Sequence, residues 1–269
     1  MIGYQALVRS ILVHGERRHD RTGVGTLARF GELLRFDLRR GFPAVTCKRL
    51  AFSQVAAELA AFLRGTETLA GFHDVGCRIW DANTAAPYWK DKTRVGRIYG
   101  VQWRRWRRPD GGEVDQLGDA VHTLSTNHTS RRIFVSAWNP GELDDMCLPP
   151  CHVSFQFYAS NDGCLDCAVV MRSVDTFLGM PFDIASYALL THIVGMQVRL
   201  QPRMLSMFFG DTHIYKNHVP QCETLLGRAP LPLPVLKLQY GTTVDNFLPG
   251  MAELVGYQHH GALPGEMNV

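Results

Sequence analysis

A chain of 269 residues with 46% apolar and 20% charged side chains has the composition of a globular protein with a sizeable core. That excludes disordered and collagen-like chains. Twenty-eight Lys and Arg against 25 Asp and Glu leave a net charge of +3, which argues against a general nucleic-acid coat and still permits a local anion site. The opening Met1-Ile2-Gly3-Tyr4-Gln5 lacks the basic and apolar regions of a signal peptide. The longest apolar stretch, Ile184 to Val198, is broken by Ser186, Thr191, His192 and Gln197, so no membrane span is predicted. A cytoplasmic protein is expected.

In chain order, Tyr4 to His14 and Phe52 to Arg64 carry helical periodicity, and Leu27 to Leu38 and Ile133 to Trp138 read as extended. His152 to Tyr158 alternates like a strand, Asn161-Asp162-Gly163 is a hairpin turn, and Leu165 onward is the return strand to Arg172. Ile184 to Val198 is an apolar helix entered from Pro181-Phe182-Asp183, with Asp183 placed to cap it. Arg203 to Gly210 returns to strand, Lys216 to Leu226 to helix, and a last strand begins near Val235 after Pro230, Pro232 and Pro234. Strands and helices interleave without a regular repeat, which predicts an α+β fold. Without a dividing linker, one domain over residues 1–269 is expected.

Four cysteines, Cys147, Cys151, Cys164 and Cys167, are spaced like two halves of a zinc ribbon. The odd separation of Cys164 and Cys167 on one strand points them to opposite faces, so no metal is expected. Asp20-Arg21-Thr22-Gly23-Val24-Gly25-Thr26 is a Gly-bearing loop that can offer a guanidinium and backbone N–H groups to phosphate, or simply make a turn. Arg131-Arg132 opens a strand, so one of the two should project away and towards a partner subunit. Gln102-Trp103-Arg104-Arg105-Trp106-Arg107-Arg108 interleaves Arg with Trp as a single-stranded nucleic-acid surface would. The low net charge favours an exposed loop with Arg stems over the rings instead. Pro149-Pro150-Cys151-His152 fixes the backbone just before a Cys at a strand start. Cys151 and His152 point apart and make a poor nucleophile–base pair. Arg172, at the hairpin's return end, is the neighbour expected to favour a thiolate.

These pieces, in order, resemble the thymidylate synthase family from about Asp20 to Tyr257. The carrying motifs are Asp20-Arg21-Thr22-Gly23, Thr46-Cys47-Lys48-Arg49, Ile79-Trp80-Asp81, Ser130-Arg131-Arg132, Pro149-Pro150-Cys151-His152 and Phe155-Gln156-Phe157. They continue with Arg172-Ser173-Val174-Asp175, Phe177 to Phe182, Ile184 to Leu190 and Gly210-Asp211-Thr212-His213-Ile214-Tyr215.

The resemblance implies a mixed sheet flanked by helices, a symmetric homodimer, and 5,10-methylenetetrahydrofolate as cosubstrate with no metal. Cys151 matches the thiolate that adds to C6 of a pyrimidine nucleotide and makes C5 nucleophilic. Glu58 matches the acid/base carboxylate, although in isolation it reads as a helix surface charge. Tyr99 and His152 match the proton-removal network at C5. Arg21, Arg172 and Ser173 match phosphate contacts, with Arg131 and Arg132 donated across the interface. His213 and Tyr215 match ribose contacts. Lys48, Ile79, Trp80, Asp175, Leu178, Gly179 and Phe182 match positions lining the folate, and Asp175 also borders the nucleotide.

One departure bears on the substrate. The family reads Pro-Phe-Asn-Ile where this chain reads Pro181-Phe182-Asp183-Ile184. The Asn accepts from N3–H and donates to O4 of uracil. Cytosine reverses that edge, and an Asp accepts from its 4-amino group while sharing a proton with N3. The resemblance is therefore to the deoxycytidylate-specific members, dCMP methyltransferases and hydroxymethylases associated with phage DNA modification. The cytoplasm would then be a host's. The bland alternative is that Asp183 only caps the following helix, leaving an ordinary enzyme acting on dUMP. Trp80, His152 and the Phe155-Gln156-Phe157 strand fit a methylating enzyme. Asn83, Ala51 and the altered tail His259 to Glu266 fit one that admits water and releases a hydroxymethyl product. Methylation is the expectation, with small-molecule partners dCMP and folate.

Overall fold

A computed structural model of the chain describes residues 1–268. The chain runs α1 (Ile2–His14), β1 (Glu16–Arg18), β2 (Thr26–Asp37), α2 (Phe52–Leu63), α3 (Leu69–His73), α4 (Asp81–Ala85), α5 (Gly100–Arg104), β3 (Trp106–Arg107) and β4 (Glu113–Val114). It continues with α6 (Gln116–Thr126), β5 (Phe134–Ser136), β6 (His152–Ala159), β7 (Cys164–Asp175), α7 (Gly179–Val198), β8 (Gln201–Tyr215), α8 (Val219–Leu226), β9 (Val235–Leu238) and β10 (Ala252–Val255).

Six strands form one sheet in the order β1-β2-β8-β7-β6-β5. Only β7 and β8 are parallel; the other pairs are antiparallel. This is the mixed sheet of an α+β fold. The parallel pair needs a crossover, and α7 supplies it, packing on both strands it connects. Because α7 is buried almost all round, from Met180 to Gly195, it carries apolar residues on every side rather than along one stripe.

The sheet's two faces differ. Leu34, Met207 and Val169 point into the core, while their neighbours Leu33, Phe208 and Val170 stand beside one another in register on the opposite face and are exposed. Phe30, Phe134 and Tyr158 are exposed too. Such a row of apolar side chains marks an interaction surface.

Three local expectations are corrected. The first concerns Asp183. Helix α7 begins at Gly179, so Asp183 lies a turn inside it and caps nothing; Pro181 is accommodated in the first turn. No side chain caps α7; just ahead of it, Asp175 Oδ1 accepts from the amides of Phe177 and Leu178, at 2.9 and 3.1 Å. The second concerns Arg131 and Arg132, which precede β5 in irregular backbone and are both exposed. The third concerns the Trp–Arg run, which is no exposed loop. Trp103 is in the core, Arg104 pairs with Asp115 and Asp245, Arg105 with Glu67, and Arg107 with Glu142.

Candidate active site

A cavity of about 930 Å³ opens where the ends of β7 and β8, the start of α7 and the inner side of α2 meet. Of the residues singled out in the sequence, Arg21, Lys48, Glu58, Ile79, Trp80, Tyr99, Cys151, His152 and Arg172 line it. Ser173, Asp175, Leu178, Gly179, Phe182, Asp183, His213 and Tyr215 complete the set. Arg131 and Arg132 do not reach it within this chain.

Cys151 sits just before β6, beside the register shift between His152 and Ser154. Its backbone N–H donates to Tyr99 Oη at 2.9 Å. Tyr99 holds an uncommon backbone conformation, φ 26°, between the loop and α5. Arg172 pairs its backbone N–H with Cys151 O, and its guanidinium donates to Pro150 O and Pro149 O at 2.8 Å each. The two prolines, the Cys and the Arg are thereby one rigid unit. Burial pushes the Cys151 thiol above its ordinary pKa, and the Arg172 charge pulls the other way. Arg172 therefore offsets the burial penalty without abolishing it.

Glu58 projects from α2 into the cavity and accepts from Trp80 Nε1–H at 2.9 Å. Burial raises its pKa to about 7, against the opposing pull of His152, so the carboxyl group is poised to give and take a proton near neutrality. His152 turns away from Cys151, as strand alternation requires, and its Nε2 lies 2.7 Å from Asp183 Oδ1. Asp183 is thus in the cavity wall and bonded to a side chain rather than to helix amides.

One side of the cavity is built from the Asp20 loop. Asp20 accepts from Thr22 N at 2.9 Å and Gly25 N at 2.6 Å, and Gly23 and Gly25 take positive φ, which turns Arg21 towards the cavity. His213 is held by Asp211, Nδ1 to Oδ1 at 2.8 Å, and packs edge-on to Tyr215. On the far wall Lys48 is buried, donates to Phe177 O and lies 4.0 Å over the Phe177 ring. Burial lowers its pKa to about 8, while Asp175 acts in the opposite sense.

Wall residues not singled out beforehand are Arg18, His19, Phe62, Asp211, Met267 and Asn268; Leu263, Pro264 and Gly265, from the altered tail already noted, line the cavity as well. Asp211 lies within a quoted motif, where its spacing from His213 on one strand face could have flagged it. The tail carries no local signal. It is brought in by His218 Nε2, 2.9 Å from Glu266 O, and by Gln221 Nε2, which donates to Pro264 O at 3.3 Å. Among the described residues no cluster of three or more His, Cys, Asp or Glu could hold a metal.

A partly buried Cys beside an Arg, a carboxyl group raised to about 7 and basic side chains in the wall together suit covalent chemistry on a nucleotide. The family model for thymidylate synthase matches residues 2–269. The chain belongs to the thymidylate synthase family. Members carry out methylenetetrahydrofolate-dependent methyl transfer to C5 of a pyrimidine nucleotide, and this chain is an enzyme of that class. Ile79, Trp80, Leu178 and Phe182 give the cavity an apolar wall, and Lys48 and Asp175 place polar side chains beside it, a lining whose chemistry suits a flat ring system. No helix among the described residues is long and apolar enough to cross a membrane.

Proposed function

We propose that this thymidylate synthase family enzyme methylates dCMP at C5. The observation that carries the reading is Asp183: it lines the same cavity as Cys151 and Glu58 and takes no part in capping α7. A carboxylate at that position accepts from a cytosine 4-amino group. Against uracil O4 it sets acceptor to acceptor, a mismatch worth about 1–3 kcal/mol.

In this reading Cys151 Sγ adds to C6 of the ring, which makes C5 nucleophilic. Glu58 moves protons at the ring's C4 side, and Tyr99 with His152 serves proton removal from C5. Arg21, Arg172 and Ser173 bind the phosphate, and His213 and Tyr215 the ribose. Lys48, Ile79, Trp80, Asp175, Leu178, Gly179 and Phe182 hold the folate, which supplies the one-carbon unit and, for methylation, the hydride. The tail residues Leu263, Pro264, Gly265, Met267 and Asn268 form part of the cavity wall, which supports a dry site and a methyl product. Arg131 and Arg132 complete the phosphate site of a second copy. Their exposure outside their own cavity and the apolar row Leu33, Phe208 and Val170 support a homodimer formed through that sheet face.

Hydroxymethylation is the second reading, favoured by Ala51 and Asn83 in the cavity wall. Product analysis with methylenetetrahydrofolate and either dCMP or dUMP decides. Faster dCMP conversion with one dihydrofolate per methyl product is expected. Hydroxymethyl-dCMP without dihydrofolate establishes the second reading, and conversion of dUMP alone overturns both.

A further inference from the structure

Asp183 has one oxygen already engaged. Its Oδ1 lies 2.7 Å from His152 Nε2, and the two side chains are only 14% and 10% exposed. With Asp183 as a carboxylate, which accepts and cannot donate, Nε2 is the donor of this pair. The His152 ring is itself fixed, packed against Tyr99 at 4.6 Å and Tyr187 at 5.3 Å between centroids. Asp183 Oδ2 is the oxygen left over; it faces Gly179, another residue of the cavity wall.

We infer that His152 is a specificity-determining positioning residue: its Nε2–H ties Asp183 Oδ1 and leaves Oδ2 as an acceptor-only group for the base edge. The inference rests on the dCMP reading of Asp183. The Nε2 contact and the packed imidazole fix the orientation of the carboxylate, so that a single oxygen, an acceptor, meets the base edge. That oxygen accepts from a cytosine 4-amino group and opposes uracil O4. His152 thus excludes uracil through Asp183, in addition to any contact it makes at C5.

The test is nucleotide binding without folate, by calorimetry, so that loss of turnover does not obscure it. Dissociation constants for dCMP and dUMP are measured for wild type, His152→Leu and His152→Gln, each also combined with Asp183→Asn. His152→Leu should lower the dCMP preference by about tenfold, equivalent to about 1.4 kcal/mol. His152→Gln, whose amide nitrogen can donate from the position of Nε2, should keep most of the preference. With Asn at 183 the Leu substitution should leave the ratio unchanged, whereas a merely structural role would weaken both nucleotides alike in both backgrounds. If His152→Leu does not fold, His152→Asn replaces it, because its shorter amide cannot reach Oδ1. A wild type that prefers dCMP with an unaltered ratio in His152→Leu overturns the inference and leaves the dCMP reading standing. A wild type that prefers dUMP overturns both.

Discussion

The indole N–H of Trp80 donates to Glu58 Oε1 at 2.9 Å, a hydrogen bond that favours the charged form of a carboxyl group whose pKa burial has raised to about 7. Trp80 therefore has two tasks, forming the cavity wall and trimming the acidity of Glu58.

Two outcomes follow for Glu58. Trp80→Phe, which keeps an apolar ring and removes the donor, should move the Glu58 inflection in the pH–rate profile upward. Glu58→Gln should eliminate that inflection. The folded-state pKa is raised from 4.5 to about 7, so protonation stabilises the fold: the contribution is full below pH 4.5 and is lost as pH rises through 7. Thermal melts of Glu58→Gln should accordingly show a gain in Tm at pH 8 and none at pH 4. An equal gain at both would contradict the assignment.

Arg172 stands against the burial that raises the Cys151 thiol. Arg172→Gln should raise the pH midpoint of Cys151 alkylation and slow the reaction at neutral pH. Cys151→Ser should cost turnover about a thousandfold or more, as loss of a nucleophile does, while nucleotide binding persists. Alkylation kinetics followed by mass spectrometry check the first statement, and calorimetry the second.

The sequence made some of this site legible and hid the rest for physical reasons. Cys151, Arg172, Ser173 and Asp175 lie on or beside one hairpin, so strand alternation and turn chemistry place them together. Glu58 reads as a surface charge because nothing local to α2 announces that Trp80, 22 residues on, will bury it. Pro181 reads as a helix entrance, which puts the cap at Asp183; a Pro is tolerated inside the first turn, and α7 starts at Gly179 without any side-chain cap. The Trp–Arg run looked exposed because its partners Glu67, Glu142 and Asp245 are distant in sequence. The tail joins the cavity through tertiary contacts with residues distant in sequence, among them Asn217, His218 and Gln221.

Asp183→Asn should move the preference from dCMP towards dUMP by about tenfold or more, since it restores a donor opposite O4. The ratio of kcat/KM for the two nucleotides measures it. An unchanged ratio would falsify the base-edge argument for this chain.

A site completed by Arg131 and Arg132 from a second copy predicts complementation. Arg131→Ala/Arg132→Ala and Cys151→Ser should each be inactive alone. Unfolded together in equal amounts and refolded, half the dimers are mixed and each mixed dimer holds one intact site, giving about a quarter of wild-type specific activity. Phe208→Asp, on the exposed sheet face, should yield monomers by analytical ultracentrifugation and abolish activity. Monomers with full activity would exclude composite sites.

The backbone under Tyr99 and Cys151 depends on a buried ion pair. Arg97, with 3% of its side chain exposed, donates Nε–H to Glu142 Oε2 at 2.8 Å, and Gln102 donates to the same oxygen at 2.7 Å. Arg97 N also donates to Asp145 O, and Cys147 N to Val95 O, so the strand-like segment that leads to Tyr99 is bolted to the loop that leads to Cys151. Gly96 takes φ 80° where that loop passes, and a Cβ there would overlap Asp145 O. Glu142→Ala leaves the buried Arg97 with only the longer contact to Glu67 Oε1, at 3.7 Å; breaking a buried pair in this way costs up to about 3–5 kcal/mol. Arg97→Met with Glu142→Leu removes both charges and should cost far less in denaturant melts. Because Tyr99 Oη accepts from Cys151 N–H, the single substitution should also lower kcat more than it raises KM, and the paired substitution should recover most of that loss.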